Sequence, residues 1–251
     1  MDMVTFVKEM KEKASRELLE VSGNGTLVEK TYTFPGGHAH TMVIRGGALE
    51  KAAITHLVLK GITPPGMKDE IDAMVYQMEV FPENPFCPMG HFNTEWSMKE
   101  AAGPYYMNLD LFPAVRVEED LTGMRNVMDR VADRFGRDRD KMREGLDAHY
   151  TMEHFPSTLA TKVGCKLLEL KGEDLDLFIS AYHVFFDAYL DILRKRKGSP
   201  FTEADTQLKL ERNGRWLEYI TLKDRAIKMA QAVGVPPEVL IALSYPPSAI
   251  F

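Results

Sequence analysis

Between residues 26 and 112 apolar and polar positions alternate with a period of two, and the alternation breaks at turns bearing Gly and Pro. The stretches TLVEKTYTF, HTMVIRG, AAITHLVLKG, DAMVYQMEVF, PMGHFNTEWSM and PYYMNLDLF therefore predict six strands. Ahead of them Val4, Val7, Ala14 and Leu18 recur at helical spacing and predict an opening amphipathic helix. After them EEDLTGMRNVMDRVADRF sets Leu121, Met124, Met128, Val131 and Phe135 along one side of a helix, and RDKMREGLDAHYTMEHF predicts a second. KVGCKLLEL reads as a strand. Residues 173–197 read as a long helix with Leu177, Tyr182, Phe185, Tyr189 and Leu193 on its apolar stripe. Thr202, with Asp205 three residues on, forms a capping box that opens another helix. RWLEYITL reads as a last strand, and PPEVLIALSY as a short apolar helix starting at a favourable Pro. Early strands, later helices and late strands returning to the sheet favour an α+β class, a largely antiparallel sheet packed by helices, as a single domain over residues 1–251.

Composition narrows the partners. The 251 residues carry a net charge of −6, with 45% hydrophobic and 27% charged residues, ordinary for a folded protein with a sizeable core. A nucleic-acid groove or an anionic membrane surface calls for a basic stripe. The one basic run, RKRKG at 194–198, sits at a helix end, where it complements the helix dipole. Cys87 and Cys165 are too few for a disulfide framework or a thiolate metal site. The charged opening helix lacks a signal-peptide core, and no apolar run approaches the roughly 18 residues that span a membrane. These features lead to the expectation of a soluble, cytoplasmic protein that neither binds nucleic acid nor inserts into membranes.

Phosphate-loop, dinucleotide-fold, HExxH, CxxC and GxSxG motifs are absent. The chemistry must then come from side chains gathered by the fold. In MGHFNTEW, His91, Asn93 and Glu95 share one strand face and Phe92, Thr94 and Trp96 the other; alternation alone leaves the polar face as a pocket wall or a wet sheet surface. In MNLDLFP, Asn108 and Asp110 share a face, and an aspartate inside an apolar strand ending needs hydrogen-bond donors. Asp224 and Arg225, read as ending the last strand, fit a surface ion pair or a positioned base beside its charge partner. His38 and His40, two apart in PGGHAH, fit a metal-binding pair or two half-exposed strand histidines.

Five segments, in order from about residue 45 to the end, resemble the oxygen-dependent coproporphyrinogen III oxidase family. GGALEKAAITHLVLKG is similar to a stretch where a Glu-Lys pair precedes a strand. FPENPFCPMGHFNTEW resembles His-Pro-x-Asn-Pro running into His-x-Asn-Tyr-Arg, and MNLDLFP resembles Gly-Gly-x-Asp-Leu-Thr-Pro. The stretch from Arg212 through Asp224 and Arg225 is similar to Arg-x-Gly-Arg-x-x-Glu running into Asp-Arg-Gly-Thr, and VGVPPEVLIALSYPP to Gly-Ser-Arg-x-Glu-Ser.

The resemblance implies a large, flat, mainly antiparallel sheet flanked by helices on both sides, and a homodimer. It also implies a reaction that needs no metal or organic cofactor, in which dioxygen as co-substrate decarboxylates two propionates of a tetrapyrrole to vinyl groups in haem (porphyrin) biosynthesis. It places His91 as the acid/base group and Asn93 as a substrate-binding residue, with Asp110 and Asp224 holding pyrrole N–H groups and Arg225 beside them. Gln77, Glu95 and Gly234 complete the implied substrate-binding set. Departures are concentrated where the family holds propionates. Glu95 stands in place of the arginine of His-x-Asn-Tyr-Arg, Thr94 in place of its tyrosine, Pro236 in place of the arginine of Gly-Ser-Arg, and FPSTLATKVG falls on an arginine-rich stretch without supplying one. The expected substrate is thus a tetrapyrrole or related ring compound met by a rebuilt propionate side. The alternatives are a porphyrin- or haem-binding protein without turnover, and a metal-dependent enzyme using His38, His40 and His91.

Overall fold

A computed structural model describes residues 2–63, 68–98, 104–155 and 157–251. Seven antiparallel strands lie in sequence order across one sheet: β1 (Thr26–Phe34), β2 (Gly37–Gly46), β3 (Leu49–Ile62), β4 (Ile71–Pro82), β5 (Met89–Ser97), β6 (Tyr105–Phe112) and β7 (Cys165–Leu170). The α+β reading and the flanking of the sheet on both faces hold. Period-two alternation sends Tyr76, Met78, Phe92, Leu109 and Leu111 to one face, where α1 (Met3–Ser22), α2 (Glu118–Arg134) and α4 (Leu175–Arg196) cover them. Phe92 is fully buried among Tyr182, Phe185, Phe186 and Tyr189 of α4. Burial of that ring contributes roughly 2–3 kcal/mol.

The opposite face carries Leu57, Leu59, Phe81, Met89 and Phe112, which pack on α3 (Leu146–Tyr150), α5 (Glu203–Leu222), α6 (Arg225–Ala232) and α7 (Pro237–Ser244). A polar cleft opens on this face over β4–β7. Among the described residues no helix is long and apolar enough to cross a membrane.

Two stretches differ from the sequence reading. RWLEYITL is helix, not strand: the Thr202–Asp205 capping box starts α5, which runs unbroken to Leu222. Its β-favouring Trp216, Tyr219 and Ile220, with Lys209 and Asn213, fall at helical spacing on the buried side, so tertiary burial outweighs local β preference. Asp224 and Arg225 consequently open α6 instead of ending a strand. The second helix expected over 139–155 is reduced to a short 3-10 turn, Lys141–Arg143, and the five-residue α3. Gly145 separates them with φ of +79°, in the left-handed region that glycine enters without steric cost.

Candidate functional site

Register across the sheet aligns polar residues into rows on the face toward α3, α5 and α6. Glu79, His91 and Asp110 are neighbours across β4, β5 and β6; Gln77, Asn93 and Asn108 form the next row, extended by Lys166 on β7; Glu95 and Tyr106 pair in the third. Each row follows from the two-residue period, because strands in register repeat the same facing residue every second position. His91, Asn93 and Glu95 therefore line a pocket, while Phe92, Thr94 and Trp96 are buried on the other side. The cavity, about 270 Å³, is bounded by these rows, by His149 of α3, and by Asp224 and Arg225 at the start of α6. A second cavity of about 500 Å³ adjoins it through His149, Lys166 and Arg225, and is lined also by Lys223 and Lys228.

The floor is acidic and desolvated. Burial raises the carboxyls of Glu95 and Asp224 above the usual range. Asn93 Nδ2 donates to Glu95 Oε1 at 2.8 Å, and Asp224 accepts the Ile227 N–H at 2.9 Å as the N-cap of α6. Asn93 Oδ1 and Asn108 Oδ1 are buried without a hydrogen-bond partner among the described residues. His91 is enclosed by the rings of Trp216 at 5.3 Å, Tyr150 at 6.0 Å and Phe112 at 6.2 Å. The rim is basic. Lys223 donates to the Ala148 and Thr151 carbonyls and Lys228 to that of Leu222, whereas Lys166 and Arg225 have no acceptor partner among the described residues. Partial burial, reinforced by Lys223, holds the Lys166 ammonium below its ordinary pKa.

The residues singled out from the sequence divide in two. Gln77, His91, Asn93, Glu95, Asp224 and Arg225 meet in the cavity. Asp110 is next to His91 on the sheet but is not among the cavity-lining residues. Its fully buried carboxylate accepts the N–H groups of Thr161, Lys162 and Val163 at 2.9, 3.0 and 3.1 Å, and the Thr161 hydroxyl at 2.8 Å. The donors this aspartate requires are thus supplied by the segment that falls on the family's arginine-rich stretch; one residue of that stretch, Pro156, lies outside the described residues. Gly234 lies in the turn after α6, away from the cavity. His149, Lys166, Tyr106 and the buried Glu79 were missed. Lys166 and Glu79 sit in strands whose apolar neighbours dominate the pattern, and His149 is placed by a helix too short to show a period.

The metal alternative fails on geometry. His40 pairs with His56, His56 with Tyr76 and Tyr76 with Thr94, so His38 and His40 lie on the α1 face and His91 on the opposite one. His40 Nε2 instead lies 3.4 Å from Glu29. Among the described residues no three His, Cys, Asp or Glu side chains converge as a metal site.

Burial depresses two imidazoles, His56 and His149, each to about 4. Both are held neutral in the folded protein, while the unfolded chain protonates them near 6.5. Stability conferred by the neutral rings is therefore complete above pH 6.5 and is lost as pH falls toward 4. The slope for each ring cannot exceed about 1.4 kcal/mol per pH unit, the value for one proton bound in the unfolded state alone. Urea unfolding at pH 7, 5.5 and 4.5 should show this decline, and His149→Gln should flatten it; an unchanged slope in the variant excludes His149 as a contributor.

A sheet covered by helices on both faces, with a polar cleft built from four neighbouring strands and bounded by the start of α6, defines an α+β sandwich of one sheet between two helical layers. The sequence profile of the family described as Coproporphyrinogen III oxidase matches residues 2–251, and the chain belongs to that family. Oxygen-dependent coproporphyrinogen-III oxidases of Coxiella burnetii strains RSA 493 (Nine Mile phase I) and Dugway 5J108-111 are each 24% identical over 266 residues, covering 98% of this chain and 86% of theirs. Among solved structures, phytochromobilin synthase from tomato in complex with biliverdin superposes with a TM-score of 0.59 at 10% identity, covering 94% of this chain and 82% of that one. That likeness is one of fold.

Proposed function

We propose that this protein is a coproporphyrinogen oxidase-like oxidoreductase that binds a tetrapyrrole bearing carboxylate arms and uses dioxygen to decarboxylate it oxidatively. The observation that carries this reading is the pairing, in one cleft, of a desolvated acceptor floor with two unpartnered cations at its rim. Pyrrole N–H groups need acceptors that water does not satisfy, and Asp224 and the free amide oxygens of Asn93 and Asn108 provide them. Carboxylate arms need cations, and Lys166 and Arg225 are available for them. His91, screened from water by aromatic rings, serves as the group that moves a proton at the ring or its side chain. In each turn a propionate leaves as carbon dioxide and its β-carbon loses a hydride equivalent, giving a vinyl group. Dioxygen takes up the hydride equivalent with one proton as hydrogen peroxide.

The reading is tested by incubating the protein with coproporphyrinogen in air and under argon, then counting carboxylates on the oxidised product by fluorescence-detected chromatography. Loss of carboxylates in air alone is the expected result; no loss from any tetrapyrrole tried overturns it. A Soret band that survives gel filtration without turnover would instead indicate a binder on the same scaffold. An open-chain ligand is favoured by one observation, the bound biliverdin of the tomato neighbour, and an absorbance titration with biliverdin decides it. The proposal includes a homodimer, checked by light scattering.

The cleft reading also sets an outcome for Glu95→Arg. The change removes a carboxylate that repels the ligand's arms and adds a donor for them. A charge-assisted bond contributes about 1.5–3 kcal/mol, and neighbouring Asp224 competes for the new guanidinium. Affinity for coproporphyrin should rise about tenfold by fluorescence titration. Equal or weaker binding would show that Glu95 does not face the arms.

A further inference from the structure

Glu79 is the buried acid that the reading so far does not use. Its residue exposure is 0%, between Met78 and Val80, which point into the opposite core. A buried carboxylate costs several kcal/mol unless its lone pairs are satisfied. Asp110, one row-mate away, meets that demand with four donors; Glu79 does not. Gln77 Nε2 at 2.9 Å and Ser244 Oγ at 3.0 Å both donate to Oε1, and Oε2 has no hydrogen-bond partner among the described residues. Two neutral donors on one oxygen pin the end of α7 but leave the charge under-coordinated.

The remaining group facing that charge is His91. Its Nδ1 lies 3.4 Å from Glu79 Oε1, and the pair is fixed by register, the two residues being direct partners across β4 and β5. The separation is slightly long for a formed hydrogen bond, a looseness common in unliganded sites. On the far side of Glu79, the fully buried Lys51 donates to the carbonyls of Ile241 and Tyr245 at the end of α7, and Glu79 favours its charged form. The groups thus run from Lys51 through Glu79 to His91 and out to the cleft.

A neutral imidazole carries its proton on the nitrogen that faces a carboxylate, which leaves the other nitrogen as an acceptor. We propose that Glu79 is the positioning residue for His91: it fixes the ring proton on Nδ1 and presents Nε2 to the cleft as a base. This rests on the reading of His91 as the proton-moving group of the cleft. It adds a residue that takes no part in ligand contact, since Glu79 does not line the cavity. The other titratable groups bearing on His91 are Asp110 from β6, Glu95 from its own strand, Asp224 at the start of α6, and His149 and Tyr150 of α3. The variants below leave all of them in place.

The test is the tautomer of His91 in the ligand-free, full-length protein, read from long-range ¹⁵N–¹H correlation spectra and assigned with His91→Gln. In wild type Nδ1 should be pyrrole-like and Nε2 pyridine-like. Glu79→Gln, which keeps shape and the Ser244 contact, should shift the population toward the Nε2–H form. Ser244→Ala, which loosens α7 but leaves the Glu79 carboxylate, should keep the wild-type tautomer. Glu79→Asp should retain the wild-type tautomer in part. A wild-type ring protonated on Nε2, or a Glu79→Gln spectrum like that of wild type, overturns the proposal, as does a Ser244→Ala shift as large as that of Glu79→Gln. No tetrapyrrole enters the measurement, so its failure is distinct from failure of the proposed activity.

Discussion

Asp110→Ala should destabilise the protein by about 4 kcal/mol. The substitution removes the acceptor for three consecutive backbone N–H groups and one hydroxyl, all in the segment 161–163 that leads into β7. Each buried donor left without an acceptor costs roughly 1–3 kcal/mol, reduced here where water or a shifted loop can reach it. Burial raises the Asp110 carboxyl while the four donors oppose that rise, so the donors compensate part of the cost of placing it there. Lys162, held at φ of +57° with its N–H on Asp110 and its ammonium 2.7 Å from Asp147, would lose the contact that makes its strained backbone tolerable. Chemical denaturation with an unchanged m-value should give the loss directly. Asp110→Asn, which keeps one acceptor oxygen, should cost less. A variant as stable as wild type that fails only to bind ligand would show that Asp110 holds substrate instead.

Lys166→Glu combined with Arg225→Glu should weaken binding of a tetracarboxylate porphyrin roughly 100-fold. Two charge-assisted contacts at about 1.5–3 kcal/mol each are lost and two repulsions gained, while solvent screening at the rim and non-additivity reduce the sum to about 3 kcal/mol. Both cations lack an acceptor partner among the described residues, so their reversal breaks no hydrogen bond or ion pair there, and stability should move little. The comparison that isolates the effect is a porphyrin without carboxylate arms, whose affinity should be nearly unchanged. Wild-type affinity for the tetracarboxylate should also fall with salt, and that of the double variant should not. Equal losses for both ligands would point to a distorted cleft, and no loss would remove Lys166 and Arg225 from the site.

The sheet was legible because its strands obey a two-residue rule that the other face enforces. Phe92, Thr94 and Trp96 must enter one core, so His91, Asn93 and Glu95 are committed to the cleft before any partner strand is known. The same rule placed Asn108 and Asp110 together. It could not say that Thr161 would reach Asp110, because that contact joins residues 51 positions apart through an irregular segment. Nor could it carry α5 through residues 215–222, where RWLEYITL reads as a strand. Trp216 and Tyr219 favour strands in isolation, and only their packing beside Phe112 and Tyr150 makes the helix register the better one. The resemblance grouped Asp224 and Arg225 with His91 and Asn93, and the four line one cavity even though the local structure around the first two was misread, since a motif constrains position in the chain and not the element that bears it.

The strand order has a consequence for how the cleft comes into being. Six strands follow one another with at most eight residues between neighbours, whereas residues 113–164 intervene before β7 reaches β6. Closing that longer span costs more chain entropy than closing any hairpin before it. Glu79, His91, Asn93 and Glu95 can therefore assemble as a partial wall while Lys166, Asp224 and Arg225 still await the late-returning chain. The binding site is then also the seam at which an early-folding half meets a late-folding one. A ligand bridging the two halves acts as a clasp, and protection of β7 and α6 amides from hydrogen exchange should rise with its concentration before that of β2 or β3 does.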